Sequence, residues 1–144
     1  MKTATTALIS PLVLLVALLT MACGSDTPTT PTTPNLPSTE MFSGTLSVGE
    51  SSFYSFTVAA TGNVSITLAS LVPVAPGPAV NTVMGLGVGT PNGTECSVTN
   101  SVTTAPGLTA QLVNSLTAAT YCAKIYDLGA LTAPVDFTVR IVHP

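Results

Sequence analysis

Between residues 41 and 144 apolar and polar side chains alternate with period two in one short segment after another, and no segment carries a sustained apolar stripe at helical spacing. That pattern points to half-buried strands. In Tyr54-Ser55-Phe56-Thr57-Val58 one face is apolar and the other hydroxylic. Asn63 to Leu68 repeats the alternation after a Thr61-Gly62-Asn63 turn, which predicts a hairpin between these two strands. Phe137, Val139 and Ile141 alternate with Thr138, Arg140 and Val142 near the end. Further strands are expected at Gly44 to Val48, Val83 to Gly89, Leu108 to Val113 and Thr120 to Tyr126, with Asn92-Gly93 turning the chain into the strand that carries Cys96. Seven or eight short strands separated by Gly, Pro and Asn turns predict an all-β fold, an antiparallel β-sandwich or jelly roll.

All seven aromatic residues lie in this segment, and roughly a hundred residues suffice for one modest core. Pro73, Pro76 and Pro78 with Gly77 make 72 to 81 a loop, read as a stiff connection between sheets in preference to a binding loop. In Thr120 to Tyr126, a core-facing Tyr121, Ala123 and Ile125 would leave Cys122, Lys124 and Tyr126 on the outer face. Gly85, Gly87 and Gly89 alternate within one strand, so one of its faces is bare and a neighbouring segment can approach it.

The first 22 residues read as an export signal. Lys2 precedes an apolar run from Ala7 to Leu19, and small residues follow. The run is broken by Ser10-Pro11 and is short of the roughly 20 apolar residues of a spanning helix. From Ser25 to Glu40 the sequence SDTPTTPTTPNLPSTE spaces its prolines by three, as a disordered, extended polyproline II tether would. At about 3.1 Å per residue it spans roughly 50 Å. The expected organisation is therefore 1–22 signal, 23–40 linker and 41–144 folded domain.

Thr20-Met21-Ala22-Cys23 resembles the lipobox of bacterial lipoproteins, although Thr20 stands where Leu is usual. The resemblance implies that Cys23 becomes the acylated first residue, with the membrane as partner through that anchor. Gly24, rather than Asp, after the cysteine implies the outer membrane of the cell envelope. Ordinary signal cleavage, with Cys23 a free thiol, is the competing reading. If Cys23 carries lipid, Cys96 and Cys122 are left as an even pair in an oxidising compartment, and a disulfide is expected. Metal binding is the competing use of the pair, but two thiols without a nearby histidine fall short of a structural zinc set.

The domain also resembles the bacterial pre-peptidase C-terminal (PPC) family of small β-sandwiches. Ser43-Gly44-Thr45-Leu46-Ser47-Val48-Gly49 with Phe53 to Val58 is similar to its opening strands. Thr61-Gly62 with Val64, Ile66 and Leu68 is similar to the next, and Thr120-Tyr121 leading to Ile125 to a late one, with Ala119 where the family has Gly. The resemblance implies an accessory module without catalytic residues of its own. The clustered carboxylates behind calcium or collagen binding in some relatives have no match here.

The chemistry-bearing residues are few. Without residues 1–22, Lys124 and Arg140 stand against six carboxylates, a formal charge of −4, and nucleic acid is an unsuitable partner. His143, the single histidine, sits beside the C-terminal Pro144 and is expected to be solvated. Asp127 and Asp136 are the conceivable acid/base pair, with a turn or surface role the preferred reading. No phosphate-cradling glycine loop is present. The expectation is a membrane-anchored, non-catalytic module, with neither cofactor nor metal. It would bind a glycan, matrix polymer or envelope protein; the alternative is an assembly protein acting through self-association.

Overall fold

The structure, a computed structural model, describes residues 36–144. The expected signal at 1–22, Cys23 and the spacer as far as residue 35 lie outside the described residues. Within them there are eight strands and no helix: β1 (Ser38–Leu46), β2 (Ser51–Val58), β3 (Gly62–Pro73), β4 (Met84–Asn92), β5 (Glu95–Thr104), β6 (Leu112–Leu116), β7 (Ala119–Tyr126) and β8 (Val135–His143). They form two antiparallel four-stranded sheets, β1-β8-β3-β6 and β2-β7-β4-β5. β1 pairs with β8, β2 with β7, β3 with β6 and β4 with β5, so the pairs nest like one long hairpin wound around the core. This is the jelly-roll arrangement of a β-sandwich.

The alternating residues of both inner faces make the core. Leu46, Phe56, Val58, Val64, Ile66, Leu68, Leu86, Val88, Ile125, Phe137, Val139 and Ile141 are all buried. Burying each such side chain contributes about 1.5 to 3 kcal/mol. Phe42 links the two sheets: it meets Phe137 edge to face at 4.8 Å between centroids and stacks on Tyr54 at 5.7 Å.

Three local expectations are corrected. β2 and β3 form no hairpin but lie in opposite sheets, because the chain crosses the sandwich between Val58 and Gly62. The sequence reads two adjacent amphipathic strands; which sheet each joins is decided by long-range pairing. The strand expected from Leu108 begins only at Leu112, since the Gln111 side chain takes the place of strand backbone beside Leu68. Its Oε1 accepts the Leu68 N–H at 2.8 Å and the Gly107 N–H reaches the Leu68 carbonyl at 2.9 Å. β1 starts at Ser38, so the last three residues of the expected linker belong to the sheet. The proline-rich connection does join the two sheets, with β3 running on to Pro73 before it.

Candidate ligand-binding cleft

On the outer face of the β2-β7-β4-β5 sheet the register sets up three cross-strand rows: Ser51, Tyr126 and Gly85; Phe53, Lys124 and Gly87; Ser55, Cys122 and Gly89. The glycines give this face its shape. At Gly85 a Cβ would lie 2.1 Å from Tyr126 Cε2, so the tyrosine ring occupies the space that a side chain there would need. At Gly87 the same atom would meet Val98 Cγ1 at 2.7 Å, and at Gly89 the Ser97 carbonyl oxygen at 1.9 Å. The start of β5 therefore lies on top of β4 as well as beside it. As a result Met84 to Gly89 is buried on both faces, as the alternation of glycines led one to expect.

Cys96 and Cys122 are joined by a disulfide. Their strands, β5 and β7, are separated in the sheet by β4. Two strands so placed lie about 10 Å apart in a flat sheet, whereas the two Cα atoms are 5.9 Å apart. The bridge pins the start of β5, whose Ser97 carbonyl lies over Gly89, to β7. A register irregularity between Val88 and Gly89 supplies the local bend.

Two adjoining clefts open beside this pinned segment. One, of about 270 Å³, is lined by Gly49, Glu50, Ser51, Val98, Lys124, Tyr126 and Asp127. The other, of about 440 Å³, is lined by Ser51, Ser52, Phe53, Thr94, Glu95, Cys96 and Lys124. Ser51 and Lys124 belong to both. Together the clefts fall within the roughly 300 to 1,000 Å³ typical of small-molecule sites. Among the described residues the side chains of Lys124, Glu50 and Glu95 make no ion pair or hydrogen bond with the protein. They are free for a ligand.

Asp127 forms the end wall. Its Oδ2 accepts the Gly49 N–H at 2.8 Å, and its Oδ1 accepts those of Gly129, Ala130 and Leu131 at 3.0, 2.9 and 3.1 Å. The Gly49 bond, helped by the other three and opposed by partial desolvation, holds its carboxyl below the usual carboxylate range. Its geometry is that of a residue tying two loops together. Asp136 is engaged elsewhere, accepting from the Thr45 hydroxyl at 2.6 Å across β1 and β8.

His143 is the remaining expectation to correct. It is not solvated but only 4% exposed, packed 5.4 Å from Phe56 between ring centroids. Its Nε2 lies 2.8 Å from Glu40 Oε1, and the Tyr54 hydroxyl donates to Glu40 Oε2 at 2.5 Å. Glu40, in the stretch read as linker, thereby ties β1 and β8 of one sheet to β2 of the other. The bond to Glu40 also raises the Tyr54 hydroxyl above its ordinary value. Position near the chain end suggested solvent because nothing in the local sequence announces a partner more than a hundred residues away.

No three His, Cys, Asp or Glu side chains converge as a metal site among the described residues. No protein-family model matches the chain, and a search of curated proteins finds no match either.

Proposed function

We propose that the protein is a lipid-anchored, non-catalytic module of the cell envelope, PPC-like, whose β-sandwich binds a glycan through the joined clefts on its outer sheet face. One observation carries the reading: aromatic rings (Tyr126, Phe53), hydroxyls (Ser51, Ser52, Thr94) and uncommitted charged groups line two adjoining clefts that share Ser51 and Lys124. Sugar rings need that combination, an apolar surface for their C–H faces and donors and acceptors for their hydroxyls. The pinned β5 segment presents the site on a rigid floor, which lowers the ordering cost of binding.

The test is a glycan-array screen of the native, detergent-extracted protein, followed by titration calorimetry. A ligand whose affinity falls roughly tenfold or more in Tyr126→Ala and Phe53→Ala supports the reading. An array with no ligand argues against it. Mass spectrometry of the mature amino terminus tests the anchor separately, with acylated Cys23 the expected result and a free thiol the contrary one.

A second reading, self-association, is favoured by β5. This ten-residue edge strand pairs only with β4 and has no charge after Glu95, so beyond the bulge at Thr99 its outer edge carries no charged or proline guard. A strictly monomeric protein in native extracts would count against it.

A further inference from the structure

The two clefts differ in chemistry, and the difference bears on what kind of glycan they fit. Tyr126 and Val98 give the first an apolar wall; Ser51, Ser52, Thr94 and Glu95 make the second chiefly polar. One cation, Lys124, lines both clefts, with Glu50 and Asp127 in the first and Glu95 in the second. Asp127 is occupied by four backbone N–H groups but keeps its charge. Glu50 and Glu95 are exposed, unpaired among the described residues, and stand in different clefts, both of which Lys124 lines.

We infer that the joined clefts select a polymer of amine-bearing sugars over its acidic counterparts, with Glu50 and Glu95 each facing an ammonium group of the bound chain. The inference rests on the glycan reading above and deepens it. A polymer of uronic acid or sulfated sugar would bring repeated negative charge against three carboxylates, and like-charge juxtaposition of this kind is a strong ground for rejection. An amino sugar reverses the sign. Its ammonium is attracted to either glutamate and to the face of Tyr126, a ring that draws cations within about 6 Å. Lys124, which lines both clefts, donates to hydroxyl or ring oxygens of the intervening unit and separates the positions where ammonium groups are accepted. The hydroxyls of Ser51, Ser52 and Thr94 both donate to and accept from the hydroxyls of such a chain.

The experiment uses the native lipidated protein and three soluble probes: a glucosamine hexamer, an N-acetylglucosamine hexamer and a galacturonate hexamer. Titrations are run at mildly acidic pH, where amines are protonated and carboxylates ionised. The expected result is binding of the glucosamine hexamer about fivefold or more tighter than the acetylated one, no detectable binding of the galacturonate, and loss of that preference in concentrated salt. In Glu50→Gln and in Glu95→Gln the preference for the free amine is expected to fall by about threefold each. Both residues are exposed, so the substitutions leave the fold intact, which circular dichroism checks. Equal or better binding of the acetylated or acidic hexamer, or an undiminished preference in both variants, overturns the inference while the glycan reading stands. Failure of all three hexamers, together with an empty array, overturns both.

Discussion

Tyr126 stands where a side chain on Gly85 would have to be, directly opposite it in the β4–β7 ladder, with ring atom Cε2 only 2.1 Å from the ideal Cβ position. The glycine has no side chain to contribute, and the tyrosine covers its backbone instead. One residue of the candidate cleft is thus placed by the absence of a group on its neighbour. The same logic holds at Gly87 under Val98 and at Gly89 under Ser97.

Gly85→Val is therefore expected to destabilise the domain by about 1 to 3 kcal/mol through overpacking, and to displace Tyr126 so that ligand affinity falls with it. Gly77→Ala is the control. A Cβ there meets nothing closer than 3.7 Å, so its effect is expected to be neutral or slightly stabilising. Thermal unfolding of both variants decides the matter.

The Cys96–Cys122 bridge closes a sequence separation of 26 residues. Chain-entropy reasoning gives about 3 to 4 kcal/mol for a loop of this length. Replacing both Cys96 and Cys122 with Ser is expected to lower urea-unfolding stability by about that amount. Cys96 also lines the polar cleft, so ligand binding at that end should weaken in the same variant. A loss of stability with unchanged affinity would mean that β5 holds its position without the bridge.

Acid stability has a defined sign at Asp127. Its carboxyl is held below the ordinary range, chiefly by the Gly49 N–H. The unfolded chain therefore takes up the proton first as pH falls. The stabilisation from Asp127 is complete above the ordinary carboxylate value and is lost as pH falls through the lower, folded one. Asp127→Asn should be less stable than the parent near neutrality, and the two should converge in acid. Urea unfolding across that range measures it.

At the other edge, Tyr54 behaves in the opposite sense. Its bond to Glu40, and the charge of Glu40, raise its folded value. Its contribution is complete below the ordinary tyrosine value and is lost as pH rises through the folded one. Glu40→Gln should bring the ionisation of Tyr54 back toward the ordinary value, which tyrosinate absorbance reads directly. His143→Ala should cost about 1 to 3 kcal/mol, since it removes a buried polar partner.

The sequence by itself determined the fold class, the inner and outer faces of most strands, the bareness of one face of β4 and the presence of a tight turn before Cys96, although its two turn residues are Gly93 and Thr94 rather than Asn92 and Gly93. These follow from side-chain period and from glycine, and both are local properties. Phe56 and Val58 must point inward together whichever sheet they join. Only the tertiary structure decided that β2 pairs with β7 rather than β3, that His143 is buried against Glu40, and that β5 folds over Gly89 to border the two clefts lined by Phe53 and by Tyr126. Those outcomes depend on pairings between residues far apart in the chain. Many registers satisfy the same alternation, and packing the two sheets on one core selects among them.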